Sequence, residues 1–342
     1  MVSDAFIWKI GKKTVGKNAT RMAFFFLIIS RIYNEHIIRT FSNSIESIFQ
    51  TIAFYYFLKV TNKFDKNIII LTAALTVGFM MRSTSPIGWP PVLAVKILRD
   101  KSLIPFIIAG ITIFIPVVGL SILVDSFYYG MKDFPVLSFY NFMQANVTEG
   151  LSKYFGTEPV YFYVLVVLPE IFTVACPSVL GGFIVYPKDQ LSKWRAGGEP
   201  PYIFFLAAFY LAVFSLIAHK EHRFLLPIVP FCALMLGYFI AKLIKQSGSR
   251  IKKAITFYLC LAVFVEVVMG LWYLNFRHRN WEIAAYLQTK EAAPHSIYAM
   301  TAFDIPYYTW THRHKYLDAQ GKETNRTIVY RADNNPTYAR RR

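Results

Sequence analysis

The chain has 342 residues, 55% of them hydrophobic and 17% aromatic, and a formal net charge of +17. That apolar content excludes an ordinary soluble domain and points to a polytopic membrane protein. The basic residues lie in short clusters between apolar runs, a positive-inside pattern that argues against a nucleic-acid partner.

The first 21 residues carry Lys9, Lys12, Lys13, Lys17 and Arg21. Their apolar patch is too short for a cleavable signal and lacks a small-residue cleavage site, so 1–21 reads as a cytosolic N-terminal segment. Nine candidate spans follow: Met22 to Ile38, Ile45 to Leu58, Ile68 to Met81, Ile87 to Leu98, Ile104 to Val124, Val160 to Val185, Tyr202 to Ala218, Phe224 to Ala241 and Ala254 to Leu274. Together they make residues 22–274 an all-α transmembrane domain. Several fall short of the roughly twenty residues of a full crossing, which predicts tilted, broken or re-entrant helices.

Lysine and arginine assign the sides. Links 9–21, 59–66, 96–101, 188–195 and 242–253 are base-rich and read as cytosolic. Links 39–44, 82–86, 125–159 and 219–223, and the polar segment 275–342, then face the lumen. That last segment reads as a small luminal subdomain or a loosely ordered end. Asn146-Val147-Thr148 and Asn325-Arg326-Thr327 are glycosylation sequons on the luminal side, whereas Asn18-Ala19-Thr20 lies on the other. Cys176, Cys232 and Cys260 sit inside apolar runs without metal-ligand spacing.

Most of the chemistry lies in the luminal links. Arg39-Thr40-Phe41-Ser42-Asn43-Ser44-Ile45-Glu46 opens the second span. Asn43 and Glu46, three apart, share a helix face. Helix capping explains the serine and the glutamate but does not require Arg39. Arg82, in Met81-Arg82-Ser83-Thr84-Ser85-Pro86, stands on the luminal side against the usual bias, which calls for an anionic partner. A guanidinium binds phosphate in a bidentate fork.

Asp125-Ser126-Phe127-Tyr128-Tyr129-Gly130 opens the longest luminal loop, which continues through Asn141 and Asn146 to Tyr154-Phe155-Gly156-Thr157-Glu158-Pro159. The aromatic Tyr161-Phe162-Tyr163 reads as an interfacial belt. Finally His219-Lys220-Glu221-His222-Arg223-Phe224 joins two apolar runs as a tight hairpin. By composition alone its charges fit snorkelling anchors or a functional site equally well.

The order of residues in that hairpin, with Pro227, Pro230 and Phe231 after it, resembles the signature of glycosyltransferase family 22. Members of this family are endoplasmic-reticulum membrane mannosyltransferases that use dolichyl-phosphate-mannose. The Arg39–Glu46 block resembles the family's Arg-Thr-x-x-Asn-x-x-Glu element, and Asp125–Gly130 its Asp-x-x-Phe-Tyr-Gly element. At Arg82-Ser83-Thr84 the family has an Arg-Pro-Thr type element, so Ser83 is a departure. Ile297-Tyr298-Ala299-Met300 and Ile305-Pro306-Tyr307-Tyr308 resemble the branch that adds the third mannose to the glycosylphosphatidylinositol (GPI) precursor.

The resemblance implies a GT-C type helical bundle and an α-1,2-mannosyltransferase. It implies a lipid-linked sugar donor, a glycolipid acceptor and no metal or other cofactor. It also implies substrate binding by His219, Lys220, Glu221, Arg223, Arg82, Thr84, Arg39, Asn43, Asp125, Tyr129 and Asn141. The family's expected base is an Asp in an opening luminal loop of His-Pro-Asp-Glu type that has no counterpart in residues 1–342. The chain therefore reads as an enzyme lacking its opening span and loop and a C-terminal portion. Asp125, Glu221 and Glu46 remain as candidate bases, and nothing in their spacing selects one.

Alternatives stay open: a catalytically incomplete paralogue or lipid-binding subunit, or a mannosyltransferase acting on dolichol-linked oligosaccharide. A transporter or scramblase predicts charges at the bilayer midplane and internal repeats. The sequence has no such repeat, and its charges gather in the links.

Overall fold

A computed structural model describes residues 2–39, 41–129, 135–152 and 156–288, together with 298–299, 315–317, 323–325 and 330–331. Two compact units divide the chain, Met1–Glu266 and Val267–Arg342. In the second unit the described strand segments are two or three residues long. Tyr298–Ala299 pairs in parallel with Tyr330–Arg331, and Lys315–Leu317 antiparallel with Glu323–Asn325.

The first unit is helical. Segment 1–21 already contributes to it. α1 (Val2–Thr14) buries Ile7 and Ile10 and packs along α4 (Ser42–Phe57), with Thr51 Oγ1 donating to Ser3 Oγ at 3.3 Å. Between them α2 (Lys17–Ile29) stops at Ser30, whose hydroxyl donates to the Ile171 carbonyl at 2.6 Å and caps α3 (Arg31–Ile37). The span expected over Met22 to Ile38 is interrupted at this α2–α3 junction.

α5 (Lys66–Met81) starts at Asp65, whose carboxylate accepts from the Asn67 and Ile68 amides, and ends at the Arg82 link. A short turn there leads into α6 (Trp89–Asp100). α7 (Leu103–Ala109) and α8 (Ile115–Tyr128) run on through one π turn as a single rod of 26 residues, about 39 Å long. Its leucines, isoleucines and valines face outward, as a lipid-facing helix requires, with Ile104 69% and Leu120 62% exposed.

α9 (Ser138–Met143) lies in the long link, and α10 (Leu168–Phe172) continues through a bend at Thr173 into α11 (Cys176–Arg195). α12 (Tyr202–Leu216), α13 (Val229–Gln246) and the part of α14 (Ser249–Gln288) up to Glu266 complete the helices of the first unit.

Four stretches among the described residues are long and apolar enough to cross a membrane: Leu103–Tyr128, Tyr163–Arg195, Val229–Gln246 and Ser249–Trp272. Lys66–Met81 and Tyr202–Leu216 are apolar but shorter. These four overlap four of the nine spans expected from sequence, and the count of nine is not reproduced.

The core is aromatic. Phe54 packs on Phe231 at 4.9 Å between ring centroids, and Phe57 meets both Tyr202 at 4.9 Å and Trp89 at 5.7 Å. Close helix approach depends on small residues. A Cβ at Gly237 of α13 would meet the Ala19 carbonyl of α2 at 2.2 Å, and one at Gly182 of α11 would meet the Met235 backbone at 2.6 Å.

These contacts sort the links into two ends of the unit. At one end Lys13 donates to the Leu58 carbonyl at 2.6 Å, Lys96 Nζ stands 5.6 Å from the Phe57 ring, and Arg99 pairs with Glu199 at 2.7 Å. The other end holds the links containing Arg39, Arg82 and Glu221.

Candidate functional site

At that second end, three links far apart in sequence meet, those of Arg39, Arg82 and Glu221. α4 supplies the floor. Its polar residues recur at helical spacing, Asn43, Glu46, Ser47 and Gln50, and all four are buried. Gln50 is fully spoken for: its amide donates to the Ser85 carbonyl at 2.6 Å and its carbonyl accepts from Trp89 Nε1 at 2.6 Å. These two bonds fix the Arg82–Pro86 turn over α4.

Arg82 then lies across the junction. Its Nε donates to Thr84 Oγ1 at 2.7 Å and stands 3.6 Å from Glu46 Oε2, while its guanidinium sits 4.3 Å above the Phe224 ring. Such a cation gains from both a carboxylate and an aromatic face in a site of low polarity. Tyr210 of α12 closes the back: its hydroxyl donates to the Phe224 carbonyl at 3.0 Å and lies 3.5 Å from Glu46 Oε1.

The hairpin is built around Glu221. Its Oε1 is 3.1 Å from His219 Nε2 and accepts from Arg223 Nη2 at 3.0 Å, while Oε2 accepts from Arg223 Nε. Burial alone would raise this carboxyl's pKa, but the bonds to Arg223 and His219 outweigh it and hold the group below its usual range. Glu221 is thus an ionised organiser with both oxygens engaged. The Arg223 guanidinium it holds stands 5.0 Å from the Phe41 ring.

The rest of the hairpin binds the returning end of the long link. Lys220, buried, donates to the Glu158 carbonyl at 2.7 Å, and His219 Nδ1 lies 3.1 Å from the Gly156 carbonyl. Burial lowers the Lys220 pKa. His222 pairs with Glu170 at 2.6 Å, and that bond raises its pKa.

Of the residues expected from sequence, the structure brings Arg82, Thr84, Glu46, Glu221, Arg223 and His219 into one connected cluster, with Lys220 beside it. Arg39 lies at the rim, paired with Glu35 and 5.7 Å from the Phe41 ring. Asn43 is fully buried one turn before Glu46, and neither of its amide atoms has a partner among the described residues.

Asp125, Tyr129 and Asn141 stand apart from this cluster in every described contact. Asp125 accepts from Ser138 Oγ at 2.6 Å, Tyr129 is 64% exposed, and Asn141 is exposed. Their loop is held at the same end through Phe139, whose ring packs 5.7 Å from Phe79, one turn before Arg82. Thr40, Gly130, Tyr154, Phe155, Ile297, Met300 and the stretch Ile305–Tyr308 lie outside the described residues.

Sequence reasoning passed over Tyr210, Gln50 and the two aromatic seats Phe41 and Phe224. The spacing of Gln50, four after Glu46 and seven after Asn43, was the available signal. Tyr210 carried a weaker one, a hydroxyl in an apolar run.

Comparison with known proteins follows the same lines. A family model described as "Alg9-like mannosyltransferase family" matches residues 1–312. GPI alpha-1,2-mannosyltransferase 3 of Bos taurus is 24% identical over 316 residues, covering 91% of this chain and 55% of the relative. GPI mannosyltransferase 3 of Yarrowia lipolytica is 26% identical over 314 residues, covering 91% and 57%. The Homo sapiens protein, GPI alpha-1,2-mannosyltransferase 3, is 23% identical over 321 residues, covering 91% and 54%. The chain thus spans about half the length of these curated relatives.

Among solved structures, ArnT from Cupriavidus metallidurans bound to undecaprenyl phosphate superposes with a TM-score of 0.50. It shares 12% identity with this chain, and the match covers 90% of this chain and 68% of that one. At this identity the likeness is one of fold, a helical membrane-protein architecture.

Proposed function

Because the chain belongs to the Alg9-like mannosyltransferase family, we propose that it carries out α-1,2-mannosyl transfer from dolichyl-phosphate-mannose to a GPI-anchor precursor. The reaction takes place at the luminal face of the endoplasmic reticulum membrane. The observation that carries this reading is the meeting of Arg82 and the Glu221–Arg223 pair above a buried polar stripe.

In the reaction, the acceptor hydroxyl oxygen forms a bond to the sugar's anomeric carbon as the bond from that carbon to phosphate breaks. The phosphate keeps the electron pair and leaves as dolichyl phosphate, and the hydroxyl proton passes to a base. Charge therefore grows on the phosphate oxygens, where fixed guanidinium groups in a dry site are most effective. Arg82 and Arg223 take this role. Arg82 is anchored through Nε and keeps both outer nitrogens for phosphate, whereas Arg223 gives Nε and Nη2 to Glu221 and keeps Nη1.

Glu221 is a positioning residue, since both its oxygens already hold Arg223 and His219. The hydroxyl-binding wall is Asn43 with Glu46, which among the described residues keep three buried polar atoms without hydrogen bonds: both amide atoms of Asn43, and Oε2 of Glu46, which has only the 3.6 Å ion pair with Arg82. Buried polar atoms are normally satisfied, and sugar hydroxyls would satisfy these. No metal enters this scheme, because a lipid monophosphate leaves with guanidinium support alone.

The test is rescue of cells deficient in the third GPI mannose. The full-length protein should restore surface GPI-anchored proteins. Arg223→Ala and Glu221→Ala at equal protein level should fail. Full rescue by both variants would reduce these residues to membrane anchors and sink the reading.

A further inference from the structure

Opposite the hairpin end, where the base-rich links gather, lies an open cavity of about 880 Å³ between the start of α2, the end of α13 and the start of α14. Among the described residues five cations line it, Lys17, Arg21, Lys242, Lys245 and Lys252, and no acidic residue does. Lys242 is paired with Asp189. The other four make no ion pair with any described residue. Four unpaired cations around one concavity repel each other, and an anion between them removes that cost.

The backbone adds to the pull. α2 begins at Gly16, which has φ of +92° and offers no side chain to cap the helix, and its first turn contains no acid. The first amides of such a helix have no intrahelical partner and point outward. Val15, Met22 and Ile244 line the cavity too and make part of its wall apolar. A free anion has no use for that wall, whereas a lipid sets its phosphate among the cations and its glycerol and first methylenes against Met22 and Ile244.

We propose that this cavity binds the headgroup of an anionic phospholipid from the leaflet on the base-rich side. The site is separate from the hairpin cluster and shares no residue with it, so it does not rest on the transferase reading. Basic pockets between membrane helices on the cytosolic side are suited to such headgroups, where the leaflet itself is anionic.

Native mass spectrometry of the full-length protein, titrated with short-chain phosphatidylserine, tests the proposal. Phosphatidylcholine and inorganic phosphate serve as the other arms. Phosphatidylserine should bind wild type. Binding should weaken about a thousandfold when Lys17→Gln, Arg21→Gln, Lys245→Gln and Lys252→Gln are combined.

A control with the same charge change at Lys12, Lys63, Lys66 and Lys101, which do not line the cavity, should bind like wild type. Should the fourfold variant fail to fold, Arg21→Gln and Lys252→Gln singly should each show part of the loss. Wild-type binding by the folded cavity variants would overturn the proposal. So would an equal loss in the control, equal binding of phosphatidylcholine, or binding of inorganic phosphate as tight as that of the lipid.

Discussion

Residue by residue, the site depends on which partner each charge already has. Glu221 holds Arg223 through two bonds, so Arg223→Lys removes the fork and leaves a point charge. We expect mannose transfer to fall about a hundredfold, measured as turnover at equal protein level. Glu221→Gln distinguishes a positioning role from a base. As an organiser, Glu221 lost to glutamine should lower turnover while the pH profile of the residual activity keeps its acid limb. Disappearance of that limb would make Glu221 the base.

His222 offers a stability test. Its pKa is raised by Glu170, so the folded state holds this proton more tightly than the unfolded chain does. The stabilisation is complete below the ordinary histidine value and is lost as pH rises through the raised one. Both side chains are about two-fifths exposed, so the pair is worth less than about 1 kcal/mol. The thermal midpoint of wild type should exceed that of His222→Gln at acid pH and converge with it at alkaline pH.

Helices approach each other here through absent side chains. Gly237 faces the backbone of α2 and Gly182 that of α13, so an added methyl meets peptide atoms that cannot swing away. Gly237→Ala should cost about 2 kcal/mol and lower the melting temperature in detergent by several degrees. Gly119→Ala, in α8 with no atom within 4 Å of the added carbon, should leave it unchanged or slightly raised.

The elements carrying the links were legible because apolar runs and basic clusters alternate along the chain. Glu46, Arg82 and the hairpin could be singled out because charges are costly at such positions. The break at Ser30 and the packing of α1 on α4 were not legible. Both depend on tertiary contacts, Ser30 with Ile171 and Ser3 with Thr51, that no local pattern carries. Asp125 and Tyr129 stood out by motif, yet the described contacts tie Asp125 to Ser138 rather than to Arg82.

At the scale of the whole molecule, one end collects the base-rich links and the other the candidate site. A glycosylation map checks which end faces which compartment. Asn146, on the long link, should be modified and Asn18, at the start of α2, spared. The reverse would invert the membrane orientation. The central claim is that the end bearing Arg82 and Arg223 grips a phosphorylated lipid sugar and passes on its mannose. Mannose transfer from dolichyl-phosphate-mannose to GPI precursor by the purified full-length protein tests it most directly. Wild type should turn over, and Arg82→Ala and Arg223→Ala should each lose at least about a hundredfold. Undiminished transfer by both variants would contradict the account.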